Sequence, residues 1–142
     1  MAAIIQARMG SKRLPGKMMK PLINNKGALE LMLERIMRSK HVSQIILTTT
    51  RRSEDNPLES IAKQYNIACF RGSEEDVLDR YYQAAVTYAK GDSIIRLTGD
   101  CPLHDPAVID RAISEFRESS CDYLSNCLSP TYPDGLDVEV MH

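Results

Sequence analysis

Ala2-Ala3-Ile4-Ile5-Gln6-Ala7-Arg8-Met9-Gly10-Ser11-Lys12-Arg13-Leu14-Pro15-Gly16-Lys17 stands almost at the start of the chain, an apolar run that passes without a spacer into two glycines, a hydroxyl and four cations. A short apolar run bounded by turn signals reads as a buried strand, here from Ala2 to Ala7. In an open parallel α/β sheet, ligands sit at the carboxyl ends of the strands, where the loops after neighbouring strands open a crevice. The loop after this strand has the composition a polyphosphate needs. Glycines let backbone N–H groups approach the phosphates, and cations offset their charge. Taken alone, the same stretch also fits a solvated basic turn. It is not a Walker A loop: five residues separate Gly10 from Gly16, and Met18 rather than Ser or Thr follows Lys17. No G-x-G-x-x-G occurs, so the fingerprint of a nicotinamide or flavin cofactor is missing.

Outward from this strand, apolar runs of strand length alternate with segments of helical period, the pattern of βαβ units around a parallel sheet. Leu29, Met32, Leu33, Ile36 and Met37 predict a helix over about Ala28 to Lys40. Gln44 to Thr50 reads as a β-branched strand. Asn56 followed by Pro57 reads as a cap with proline at the first helical position, and Leu58, Ile61, Ala62 and Tyr65 form the buried stripe of the helix behind it. Ile67 to Phe70 reads as a third strand. Ser73 is placed to cap a helix ending near Lys90-Gly91, with Val77, Leu78, Tyr81, Ala85 and Tyr88 as its inner face. Ser93 to Thr98 is a fourth strand, and Asp105-Pro106 starts a helix with Ile109, Ala112, Ile113 and Phe116 inward. Asp122 to Asn126 and Leu136 to Met141 complete the strands, separated by a turn-rich loop from Pro130 to Gly135. No repeat or linker interrupts the pattern, so residues 1–142 are expected to form a single α/β domain with a mostly parallel sheet.

The chain has 142 residues, 43% of them hydrophobic and 26% charged, with a formal net charge of -1. That balance is globular, and the length is that of one ordinary domain. Charge is unevenly spread: Arg8, Lys12, Arg13, Lys17, Lys20 and Lys26 precede the first acid, Glu30, so an anion is expected at that end. A wide basic face with interleaved aromatics is lacking, which argues against nucleic acid as the partner. An organellar transit peptide is set aside, because Ala2 to Ala7 reads as a strand and Leu14-Pro15-Gly16 breaks any helix. No apolar run approaches the ~20 residues of a membrane span, and Cys69, Cys101, Cys121 and Cys127 make no C-x-x-C pair. A cytoplasmic protein with reduced thiols and no membrane partner is expected.

A second candidate site is Thr98-Gly99-Asp100-Cys101-Pro102, where a carboxylate leaves the end of an apolar strand beside a glycine. Mg²⁺ is bound through one or two carboxylates plus substrate phosphates, so Asp100 facing the basic loop suits a metal ligand, and an Asx turn suits it equally. Cys101-x-x-His104 with Cys121 and Cys127 lacks useful zinc-ligand spacing, and such cysteines are more often small buried hydrophobes. His41 follows Lys40 at a helix end, where a cation suits the helix dipole and no catalytic role is needed.

Four ordered blocks carry a family resemblance. Ile4-Ile5-Gln6-Ala7-Arg8-Met9-Gly10-Ser11 with Arg13-Leu14-Pro15-Gly16-Lys17 resembles the opening signature of the acylneuraminate cytidylyltransferase-like enzymes. Arg71-Gly72-Ser73-Glu74-Glu75-Asp76-Val77-Leu78-Asp79-Arg80-Tyr81, Thr98-Gly99-Asp100-Cys101-Pro102 and Tyr132-Pro133-Asp134-Gly135-Leu136-Asp137-Val138-Glu139-Val140 are more similar to the branch of the spore coat polysaccharide biosynthesis protein F. The resemblance implies a Rossmann-like three-layer sandwich of the nucleotide-diphospho-sugar transferase type. It also implies transfer of CMP from CTP to an acidic or related sugar for surface polysaccharide, with release of pyrophosphate.

By motif, Arg8, Lys17 and Asp100 would carry catalysis. Arg8, Gly10, Ser11, Lys12, Arg13 and Lys17 would hold the triphosphate, and Asp100 would bind Mg²⁺. Ser73 and Arg80 would flank the base, although Ser73 also fits a plain helix cap. Asp137 and Glu139 fit either the sugar site or the solvent face of an edge strand. Family chains run on past the equivalent of His142, so this chain is expected to be C-terminally incomplete, with a further metal carboxylate, much of the sugar site and a homodimer contact lying in the later part. Use of another nucleotide, glycosyl transfer on the same architecture, and a non-catalytic nucleotide-binding domain stand as alternatives.

Overall fold

The computed structural model describes residues 1–11 and 14–142. The strands are β1 (Ala2–Gln6), β2 (Gln44–Thr50), β3 (Ala68–Gly72), β4 (Ile94–Thr98), β5 (Tyr123–Ser125) and β6 (Glu139–Met141). The helices are α1 (Ala28–Ile36), α2 (Asn56–Gln64), α3 (Val77–Tyr88) and α4 (Pro106–Glu118), with a 3₁₀ turn at Ser53–Asp55. The strands form one six-stranded sheet in the order β3-β2-β1-β4-β6-β5. β1 to β4 run parallel, and β6 lies antiparallel between β4 and β5. The strand order reverses at β1, since β2 lies on one side of it and β4 on the other, and the crevice opens at the carboxyl ends of that pair.

β1 is buried on both faces, as a central parallel strand must be. Its odd residues Ala3 and Ile5 join Leu47, Ile95, Leu97, Val138 and Val140 under α1, α2 and α4. Its even residues Ala2 and Ile4 join Ile46, Tyr81 and Ala84 under α3. The result is the expected three-layer, Rossmann-like α/β arrangement. Leu29, Met32, Leu33 and Ile36 of α1 expose no surface, and each such side chain contributes roughly 1.5–3 kcal/mol on burial. The stripe of α4, Ile109, Ala112, Ile113 and Phe116, is likewise inside. Asp105 caps it by accepting from the Ala107 N–H at 2.8 Å.

Several boundaries move. α1 stops at Ile36 instead of reaching Lys40, because the N–H groups of Lys40 and His41 are captured by the Asp110 carboxylate of α4 at 3.1 Å each; His41 therefore lies in a turn past the helix. Asn56 is the first residue of α2 rather than its cap. β3 begins at Ala68 and includes Arg71 and Gly72, since β2 is long enough for Thr49 and Thr50 to pair with them. α3 ends at Tyr88 and is capped by Asp76, which accepts from the Asp79 N–H at 2.8 Å. Ser73 is one turn too early for that role and accepts from the Asp76 N–H instead. The inner face of α3 also differs: Arg80, Tyr81 and Ala84 are buried, whereas Leu78 is exposed. β6 is an interior strand, so Glu139 does not lie on an edge. Its carboxylate pairs with Arg96, whose guanidinium lies 5.4 Å from the centre of the Tyr81 ring.

Candidate functional site

The site is set by two close approaches of backbone. At the end of β4, the Gly99 N–H donates to the Gln6 carbonyl at 2.7 Å. A Cβ on Gly99 would lie 2.6 Å from that oxygen and 2.9 Å from the Ala7 Cβ, so only glycine lets the two strand ends touch. The next residue, Asp100, thereby stands over the loop that follows β1. That loop turns back at Gly16, whose φ of +68° favours glycine, and the turn delivers Lys17 to Asp100 at 2.6 Å between Nζ and Oδ2.

Arg8, Gly10, Ser11, Lys17 and Asp100 line one cleft of about 480 Å³, together with Gln6, Ala7, Met18, Glu74 and Thr98. Five of the residues singled out from the sequence thus converge, the ion-paired Lys17 and Asp100 alone being 83 positions apart in the chain. Ser73 and Arg80 are not among the lining residues. Arg80 exposes no surface and donates from Nη1 to the Ser73 carbonyl, while its Nε and Nη2 have no partner. Burial pushes its pKa below the ordinary arginine value. Lys12 and Arg13 lie outside the described residues.

The cations of the cleft are held by acids. Arg8 is 4.0 Å from Glu74, which is also 3.0 Å from Arg52, and Arg52 is in turn 3.0 Å from Glu54. This alternating chain leads from the cleft-lining Arg8 and Glu74 to Arg52 and Glu54 through solvent-accessible side chains, so each pair is screened and exchangeable. An anion can therefore take over Arg8 at small cost. The Ser11 Oγ accepts from the Leu14 N–H at 3.3 Å and keeps its own O–H to donate.

Glu74, Arg52 and Asp55 were not distinguished by the sequence reading. Glu74 lies between Arg71 and Tyr81, but its neighbours in space, Arg8 and Arg52, come from distant segments. Asp55 is 1% exposed and accepts from the Met9 N–H at 2.7 Å, the Thr50 N–H at 3.2 Å and the Thr50 hydroxyl. A buried acid between Glu54 and the helix-starting Asn56-Pro57 gives no local signal of such a reach. Asp137 is exposed, and its charge acts on Cys101 and His104. His104 is buried with neither ring nitrogen partnered, and desolvation lowers its pKa to about 4.

Among the described residues no group of three His, Cys, Asp or Glu side chains could hold a metal by itself. The one carboxylate lining the cleft from β4, Asp100, fits a metal that brings phosphate and water oxygens with it. No helix of the described residues is long and apolar enough to cross a membrane.

A cytidylyltransferase family model matches residues 2–134. The spore coat polysaccharide biosynthesis protein SpsF of Bacillus subtilis is 40% identical over 124 residues, covering 84% of this chain and 51% of that one. A cytidylyltransferase structure from Leptospira borgpetersenii superposes with a TM-score of 0.92 at 41% identity, covering 99% of this chain and 59% of that one. The structure of a CMP:2-keto-3-deoxy-manno-octonic acid synthetase complexed with CTP, at 23% identity and a TM-score of 0.75, covers 87% and 51% respectively and shares the fold. The chain spans about half the length of the curated relatives it matches.

Proposed function

The chain belongs to the cytidylyltransferase family, and on that premise we propose that its cleft binds CTP with a divalent metal and serves the transfer of CMP to an acidic or related sugar, releasing pyrophosphate. The observation that carries the reading is the meeting of a cationic, glycine-containing loop with one carboxylate at the carboxyl ends of β1 and β4. Phosphoryl-type transfer needs mainly positioning and charge neutralisation, and this chain's residues are of the kinds that supply both.

Arg8 and Lys17 hold the triphosphate electrostatically, Ser11 donates to it, and the backbone at Gly10 lets it approach. Lys12 and Arg13 add charge from the same loop. Ser73 and Arg80 belong to the base side: the buried Arg80 fixes the Ser73 carbonyl and so the shape of the turn after β3. Asp100 would hold Mg²⁺, a hard cation that wants carboxylate oxygen, in place of its ion pair with Lys17. Mg²⁺, when bound, neutralises charge developing on the phosphates. Surface polysaccharide synthesis, a cytoplasmic location and a homodimer complete the reading.

The experiment is a titration of CTP, GTP and UTP into wild type, Lys17→Met and Asp100→Asn, each with Mg²⁺ and with EDTA. CTP should bind best to wild type with Mg²⁺, Lys17→Met should weaken all three, and Asp100→Asn should lose its metal dependence. Equal binding of the three nucleotides would remove the cytidylyl assignment. An Asp100→Asn protein with undiminished Mg²⁺ dependence would leave Asp100 a turn residue.

A further inference from the structure

We infer that Asp55 is the positioning residue of the loop facing the phosphates, an inference that rests on reading the cleft as a triphosphate site. In the parallel ladder between β1 and β2, the Ala7 N–H donates to the Thr48 carbonyl at 3.1 Å. The next rung of such a ladder would join the Met9 N–H to the Thr50 carbonyl. That rung is replaced. The Met9 N–H goes to the Asp55 carboxylate at 2.7 Å, and the Thr50 carbonyl accepts from Arg71 Nε at 2.9 Å.

The consequence is geometric. Released from the ladder, the chain leaves the sheet at Arg8 and turns sharply, the Ser11 N–H reaching the Met9 carbonyl at 2.7 Å. Arg8 is then fixed on both flanks, by the last rung at Ala7 and by the carboxylate at Met9, and the loop is led into the cleft. The other Asp55 oxygen holds the Thr50 N–H and hydroxyl, which anchors the tether to the end of a buried strand. A buried carboxylate that accepts three donors is costly unless all are in place, so the tether is stiff. Asp55 is not among the described residues that line the cleft, and acts through Met9.

The test compares Asp55→Ala with Thr50→Val, which removes only the hydroxyl part of the tether. Inorganic tripolyphosphate and cytidine are the probes, and exchange of the Met9 amide is followed by NMR. Asp55→Ala should bind tripolyphosphate at least about tenfold more weakly, the scale of one lost charge-assisted hydrogen bond, with cytidine unchanged and the Met9 amide exchanging faster. Thr50→Val should lower the melting temperature yet leave tripolyphosphate binding and Met9 protection as in wild type.

Should Asp55→Ala fail to fold, Asp55→Asn keeps the volume and one acceptor and should show the same split at several-fold size. Equal losses for both probes, or the same loss in Thr50→Val, would reduce Asp55 to a purely structural residue and overturn the inference. A wild type that binds no tripolyphosphate overturns the cleft reading, and with it the claim that the tethered loop faces phosphates. In that case, faster Met9 exchange in the Asp55 variants alone identifies the cleft reading, rather than the tether, as the error.

Discussion

Along β1, Ala3 and Ile5 face α1, α2 and α4, whereas Ala2 and Ile4 face α3, so one strand feeds two interiors that differ in almost everything else. Under α1, α2 and α4 the buried residues are those that helical and strand periods select, and the layer is almost wholly apolar. Under α3 the rule inverts: Arg80 is buried with two donors unpartnered, while Leu78 and Val86 on the same helix are 80% and 66% exposed. The first face is a core that stabilises the fold. The second holds the turn after β3 through Arg80 and the Ser73 carbonyl and carries the Arg96–Glu139 ion pair, so polar contacts as well as packing decide its side chains.

The largest expected effect is on the first face. Leu33→Ala removes a fully buried side chain of α1 and should cost about 2–5 kcal/mol in denaturant unfolding, the range of cavity-forming core substitutions. A loss under about 1 kcal/mol would mean that α1 is loosely packed and the contrast between the faces is overstated.

Next comes a buried polar ring near α1, whose Arg35 donates to the His104 carbonyl at 2.7 Å. His104 is held neutral, its pKa lowered from 6.5 to about 4 by desolvation. The unfolded chain therefore binds the proton first, and stability present above pH 6.5 is lost as the pH falls toward 4. Over that window the loss attributable to this group is roughly 3 kcal/mol. His104→Leu should flatten the difference in stability between pH 7 and pH 4 by that amount; identical pH profiles for the two proteins would show that the ring already finds a partner.

On the second face the sign changes. Arg80→Met replaces a desolvated, half-satisfied cation by an apolar chain of similar length and should be neutral or stabilise the free protein by about 1 kcal/mol. The same variant should weaken CTP binding through the turn after β3. A loss of several kcal/mol would make Arg80 a structural ion with a partner. The smallest effect belongs to the exposed stripe: Leu78→Gln should stay within about 0.5 kcal/mol of wild type by thermal melting, and a larger loss would show that this surface is covered in solution.

Local chemistry sufficed for much of this molecule. The apolar runs at Ala2, Gln44 and Ile94, the stripes of α2 and α4 and the Asp105 cap follow from side-chain period and from the orphan N–H groups of a helix start. That Arg8, Gly10, Ser11, Lys17 and Asp100 would share one cleft was legible, because strand ends of an open parallel sheet open onto one crevice. The tertiary structure alone decided the rest. The insertion of β6 between β4 and β5, the inward turn of Arg80, the ion pair of Lys17 with Asp100 and the reach of Asp55 to Met9 all join residues with no periodic relation in the chain. Their energies come from contacts made only once the sheet has formed. A residue's period states which face it takes, whereas its partner is chosen by whatever the fold places opposite.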